Sequence, residues 1–293
     1  GHKPTYGIIP MSGHELVANV PDADLSVCGP LARGADDLRV ALGIMAGPVE
    51  RESLGWKLDL PSADFKRLAD LRVAIWPTDP YAPVAGEVAD RVVMVGEVLA
   101  KLGAKVSDTA RPDFDVEAAH HNYQTLLTAV MSASMKGEQV AAAQAAADAF
   151  GPEDRSLQAV QARATVLPHR EWIRSNLRRE KLRLAWAAFF AEWDILLCPQ
   201  MATPAFAHDH RPFNERTITV DNEEQGYFKQ IFWAGMVVNA YLPSTVFPTG
   251  PSRQGLPIGV QAVSAPYRDY RTIEFARQIG EEIGGFLAPP GYE

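Results

Sequence analysis

Cysteine is nearly absent, with Cys28 and Cys198 the only two in 293 residues. Two thiols cannot build a disulfide framework or a Cys-rich zinc site. Long apolar runs are missing as well, and nothing approaches the ~20 residues that cross a bilayer as a helix. Positive charge is not in excess: 28 Lys and Arg face 36 Asp and Glu, a net charge of −8. That balance disfavours sequence-independent binding to nucleic-acid phosphates. No internal repeat recurs. What is present is ordinary for a globular chain, 47% hydrophobic and 22% charged, in a length that suits about two domains or one large α/β domain.

Periodicity predicts alternating strands and helices. Leu38, Ala41, Leu42 and Met45 have helical spacing that opens near Pro30 and Leu31 and stops at Gly47-Pro48. Residues 50–70 read as a loop with a short helix around Phe65 and Leu68. Leu71 to Trp76 is a buried strand. Val88, Val92, Val95, Leu99 and Leu102 share one helix face, Gly103 caps that helix, and Lys105 to Ser107 starts another strand. Strand, helix and strand with short links imply a parallel pair in an α/β sheet. Residues 116–165 are helical. His169 to Trp193 reads as one amphipathic helix with Ile173, Leu177, Leu184, Trp186, Phe189 and Phe190 on its core side. Ile195 to Pro199 is a strand, a loop runs to about residue 225, and Tyr227 to Tyr241 is a buried helix. Ser244 to Phe247 and Ile258 to Val263 are strands, and a helix runs from Tyr270 to Ile283.

Several motifs invite a chemical reading and fall short of it. Gly250 to Gly255 has phosphate-loop spacing, but Leu256 and Pro257 stand where Lys and Ser/Thr must follow; a hairpin turn is the better reading. His208-Asp209-His210 lacks further ligands at a recognised spacing, and His120-His121 is weaker still. The basic residues Arg170, Arg174, Arg178, Arg179, Lys181 and Arg183 read as the solvated face of a packed helix rather than an RNA or membrane site. No Gly-x-Ser-x-Gly elbow occurs, and the Ser12/His14 pair reads as a turn.

Three segments carry more. They are Gly1-His2-Lys3-Pro4-Thr5-Tyr6-Gly7 with Asp24 to Arg33 and Asp36-Asp37-Leu38; Trp193 to Pro199 with Thr203-Pro204-Ala205-Phe206; and Tyr241 to Pro248 with Gly255 to Gln261. In this order they resemble the G-x-K-P-T, D-x-L-L-x-P and G-L-P-x-G-x-Q stretches of the amidase signature family. The resemblance implies an α/β fold in which a mixed β-sheet is covered by helices, with residues 1–293 counted as the C-terminal portion of a single amidase domain and no internal boundary. It implies hydrolysis of carbon–nitrogen bonds in a small-molecule amide by a Ser–Ser–Lys triad, with no cofactor or metal. In that chemistry a buried Lys must have a depressed pKa to act as base, and backbone N–H groups of a Gly/Ser-rich stretch hold the oxyanion.

The sequence departs from the family at that point. It contains no Gly/Ser-rich signature, and Lys3, Lys57, Lys66, Lys101, Lys105, Lys136, Lys181 and Lys229 lack the context of the family's base. No catalytic residue is carried over. The chain opens on Gly1 without an initiator Met and reads as the C-terminal portion of an amidase, its N-terminal part absent, supplying scaffold and substrate pocket and inactive alone. Gln230, Phe232 and Trp233 are the substrate-binding candidates, because an aromatic wall with one amide precedes the Tyr241-Leu242-Pro243 strand; plain core packing is the competing reading. Two other functions stay open. One is a protein like the A subunit of glutaminyl/aspartyl-tRNA amidotransferase, and the other is a non-catalytic binding or assembly module. An acidic group near Gln230 would suit the first, and its absence favours a plain amidase. No nucleic-acid or membrane partner is implied, a homo-oligomer stays open, and low cysteine use is all that supports a cytoplasmic setting.

Overall fold

The computed structural model describes residues 1–14 and 22–292. Its centre is a six-stranded sheet in the order β1 (His2–Lys3), β7 (Ser244–Pro251), β8 (Pro257–Val263), β4 (Ile195–Pro199), β2 (Arg72–Ile75) and β3 (Lys105–Ser107). β2 runs parallel to β3 and β4, and the other pairs are antiparallel. The sheet is mixed and helices cover both faces, as the sequence implied.

The strand–helix–strand unit forms as expected. β2 is followed by α2 (Gly86–Lys101), Gly103 takes a positive φ of 98°, and β3 then pairs Val106 with Val73. Glycine pays no Cβ penalty in that conformation, so the helix stops there cleanly. Every residue of β4 is buried, the mark of a strand covered on both faces. Val73, Ile75, Ile195, Leu197, Val260 and Ala262 pack with α2 and with α8 (Asp269–Ile283). The alternate residues Ala74, Trp76, Leu196, Cys198 and Val263 pack with α6 (His169–Glu192) and α7 (Phe232–Asn239). The remaining α-helices among the described residues are α1 (Ala35–Met45), α3 (Val116–Met131), α4 (Gly137–Asp148) and α5 (Leu157–Thr165).

Four expectations are corrected. The first helix starts at Ala35 and not at Gly29-Pro30, and Leu31 is 89% exposed. Pro30 O instead accepts from His2 N at 3.0 Å, so the Gly29-Pro30 backbone serves β1. The loop before residue 225 contains a hairpin, β5 (Thr217–Val220) and β6 (Glu223–Gly226), that buries Ile218 and Val220. Asp221 turns it with a φ of 52°, and Asp and Asn are the non-glycine residues that accept this region best. The segment Tyr227–Ile231 is a 3-10 turn leading into α7. On α6, Ile173, Leu177 and Leu184 are exposed, while Ser175, Arg179, Leu182, Trp186, Phe189 and Phe190 face inward. The inward stripe keeps helical spacing; it is rotated because a charged residue, Arg179, is buried against a partly buried partner, Asp24.

Candidate active-site region

β1, β7, β8 and β4 are consecutive in the sheet, and they carry the three motif segments, which are scattered from Gly1 to Gln261 in sequence. The antiparallel register sets Lys3 against Ser244 and His2 against Thr245, then Val246 against Gln261 and Gln261 against Cys198. Tertiary structure therefore gathers the motifs side by side.

A buried polar network fixes β1. His2 Nδ1 lies 2.9 Å from Thr245 Oγ1, and Nε2 lies 3.2 Å from Asp269 Oδ1. Asp269 also accepts from Thr5 N at 2.8 Å and Thr5 Oγ1 at 2.7 Å. The order hydroxyl–imidazole–carboxylate mimics a hydrolytic triad. It has no access for a substrate, since Thr245 and Asp269 are fully buried, and Thr245 Oγ1 donates to Thr272 at 2.8 Å. Burial lowers the pKa of His2, partly opposed by Asp269, and the bonds to His2 and Thr5 hold the Asp269 carboxyl below its ordinary value despite burial. This network is an anchor for β1. Lys3 turns its ammonium onto Pro4 O at 2.7 Å, and desolvation pushes its pKa down to about 7, against the pull of Asp269. No serine among the described residues is hydrogen-bonded to it.

On the α6/α7 face the aromatic residues gather. Phe232 and Trp233 stand edge-to-face at 5.1 Å, Trp76 meets Trp233 at 5.6 Å, and Tyr81 and His120 meet Phe232 at 5.9 and 5.5 Å. The structure thus brings two of the predicted pocket residues together. Both are buried in the core, at 2% and 1% exposure, and Gln230 is buried at 3%. Gln230 Oε1 and Trp233 Nε1 have no hydrogen-bond partner among the described residues. Sequence reasoning missed Tyr81 and weighed His120 only as part of a weak metal pair with His121; both lie far before Phe232 in the chain, and nothing local pointed them to it. Burial, with like charge from His121 and Lys229, pushes the pKa of His120 down to about 4. Tyr81 is raised to about 12 by burial and by Glu117.

A third cluster joins this face to the segment after β1. Arg179 donates to both oxygens of Asp24 at 2.9 and 2.8 Å and stacks over Tyr241 at 4.6 Å. Tyr6 stacks on Tyr241 at 4.2 Å.

The other histidines do not converge. His208 and His210 are 6.0 Å apart, ring to ring, and Asp209 is held by Arg211, which lowers its pKa to about 2. Among the described residues no group of three His, Cys, Asp or Glu comes together as a metal site. Cys198 is buried, and desolvation raises its thiol to about 12, which makes it a poor nucleophile.

A family model described as Amidase matches residues 1–273. The chain belongs to the Amidase family. It is 26% identical to an indoleacetamide hydrolase of Bradyrhizobium diazoefficiens, over 98% of this chain and 52% of that protein. It is 27% identical to the A subunit of the glutamyl-tRNA(Gln) amidotransferase of Pseudomonas aeruginosa, over 95% of this chain and 58% of that one. Among solved structures, the same kind of subunit from Thermotoga maritima superposes with a TM-score of 0.69 at 18% identity, covering 100% of this chain and 61% of that chain. A bacterial aryl acylamidase gives 0.68 at 18% identity, covering 96% and 57%. These superpositions establish a shared α/β fold. The chain spans little more than half the length of the relatives it matches.

Proposed function

We propose that this Amidase-family chain is the scaffold and substrate-pocket portion of an enzyme that hydrolyses amide bonds through an acyl-enzyme, and that it is inactive alone. The observation that carries the reading is the gathering of the family's three motif segments on four adjacent strands, with α7 leading directly into β7. The turn and helix bearing Gln230, Phe232 and Trp233 precede β7 in the chain, and β7 pairs with β1. In this reading Phe232 and Trp233 support the apolar wall of the acyl pocket. Gln230, whose amide oxygen is buried and unpartnered among the described residues, orients the amide group of a small substrate. Cleavage breaks the C–N bond, releases the amine or ammonia, and leaves the acyl group to be taken by water. In this reading the attacking hydroxyl and its base belong to the part of its relatives' length that this chain does not span.

The test is an amide-hydrolysis assay of the pure chain on aryl and alkyl amides, together with labelling by a fluorophosphonate. No amine release and no labelling are expected, with activity restored when the upstream part of the same protein is supplied. Turnover or serine labelling by the chain alone overturns the division of labour.

The similarity to amidotransferase A subunits supports a second reading, delivery of ammonia to a mischarged tRNA. A glutaminase assay on the full-length protein decides it. Activity that rises sharply with partner subunits favours this reading, and partner-independent amide hydrolysis removes it. A compact, protease-resistant chain that neither hydrolyses amides nor complements an upstream part would instead favour a binding module.

A further inference from the structure

The parallel strands β2 and β4 lie side by side, and their carboxyl ends send the chain to opposite faces of the sheet. β2 continues into α2, which packs with Val73 and Ile75. β4 continues toward β5, whose Ile218 and Val220 pack with Trp76 and Leu196 on the other face. Such a divergence opens a crevice outside the strand ends, the place where α/β sheets take their ligands. A backbone bond from Ala85 N to Ala202 O, 2.8 Å long, ties the two exits together. Adjoining these exits is a cleft with about 180 Å³ of free space. Its lining includes Thr203, Pro204 and Ala205 after β4, Val246 of β7, and Ile258 and Gly259 of β8. These residues belong to the second and third motif segments, and neither the β1 anchor nor the aromatic wall uses them. We propose that this cleft is a substrate subsite that takes a compact, uncharged aliphatic group of an amide. That the group belongs to a substrate rests on the function proposed above; its binding does not.

Charge decides first. Of the described residues that line the cleft none is ionisable, and the polar side chains are those of Gln200 and Thr203. An ion would lose hydration there and gain no counter-charge. Size decides next. The space far exceeds the ~10–15 Å³ that one water needs and falls short of the ~300–1,000 Å³ of drug-sized sites. The walls expose polar as well as apolar surface, which matches a molecule with an apolar body and one neutral polar end. Gly259 fixes part of the shape. A Cβ there would stand 2.8 Å from Val246 Cγ1, so a side chain at that position would displace Val246.

The test reads binding and not turnover. Carbon-13 methyl NMR of the whole 293-residue chain is recorded with isobutyramide, isobutyrate and isobutylammonium. Saturable shifts of the Met201 and Ile258 methyls are expected with isobutyramide and not with either ion. Ala205→Leu, at an exposed position of the lining, is expected to raise the apparent Kd at least about tenfold. Ala188→Leu, exposed on α6, is expected to leave it unchanged. Equal shifts with an ion, no shift at Met201 and Ile258, or binding that Ala205→Leu does not weaken overturns the proposal. Shifts confined to Met236, one turn from Phe232 on α7, overturn it as well and leave the aromatic wall as the pocket. Amine release by the chain alone would overturn the function proposed above without altering this result.

Discussion

The hydroxyl of Tyr241 donates to Asp24 at 2.6 Å across 217 residues of sequence. Tyr241 also holds a φ of 62°, a region that costs a non-glycine residue of order 1–3 kcal/mol. The neighbours make that geometry tolerable: Tyr6 stacks on its ring, and Arg179 on the other flank of the cluster pairs with the same carboxylate. Arg179→Ala is expected to destabilise the chain by about 3–5 kcal/mol, since it leaves a half-buried carboxylate without its ion pair. Tyr241→Phe removes one hydrogen bond to a charged group and is expected to cost about 1.5–3 kcal/mol. Urea denaturation of the two variants checks the order; equal or negligible losses would contradict it.

Two glycines stand where a methyl group cannot. A Cβ on Gly29 would lie 2.1 Å from His2 O, and one on Gly235 would lie 2.2 Å from the Tyr123 ring. Both Gly→Ala variants are expected to lose at least about 1–3 kcal/mol. Only the second has a remedy in a side chain. Gly235→Ala combined with Tyr123→Leu is expected to be less destabilised than the sum of the single changes, whereas no side-chain change relieves Gly29→Ala, whose obstacle is backbone. Thermal unfolding of the single and double variants measures this.

His120 makes stability depend on acid. Its pKa is about 4 in the folded chain against an ordinary 6.5. Between those values the unfolded chain binds the extra proton and the folded chain does not, so stability rises with pH and is lost as pH falls from about 6.5 toward 4. The lost contribution is about 3 kcal/mol at most. Lys229 and His121 add like charge on the same side, and the nearby Tyr81 and Tyr123 stay neutral throughout, each raised to about 12 by burial. Denaturation at neutral pH and near the lower pKa is expected to show a smaller acid loss in His120→Gln than in the parent.

Phe232 separates wall from core. Phe232→Leu keeps most of its volume and is expected to cost under about 1.5 kcal/mol. If the ring also bounds the substrate pocket, the reconstituted enzyme will show a higher KM for aryl amides with kcat little changed. Unchanged KM with lowered stability would leave Phe232 as core alone.

Much of the fold was written in local pattern. The i, i+3, i+4 spacing from Val88 to Leu99 and the run Ile195 to Pro199 specify a helix face and a doubly covered strand on their own, because burial of apolar periodicity is a local property. Gly103 ends its helix for a reason legible in one residue, and the three motif segments pointed to the family unaided. The departures came where a partner distant in sequence decided the outcome. Gly29-Pro30 does not begin a helix because β1 takes its carbonyl, and α6 turns Leu177 and Leu184 to the outside because Asp24 draws Arg179 in. The short hairpin at Asp221 gives little local signal, since its strands are four residues each and only the first buries side chains, Ile218 and Val220. Which residues share a site belonged wholly to the tertiary structure. The sequence placed Phe232 and Trp233 together, but only the packing of α3 against α7 brought His120 and Asn239 to one cavity, and only strand order set Lys3 beside Ser244. Residue type and spacing determine which elements form; the desolvation of particular polar groups by distant neighbours determines how those elements face one another.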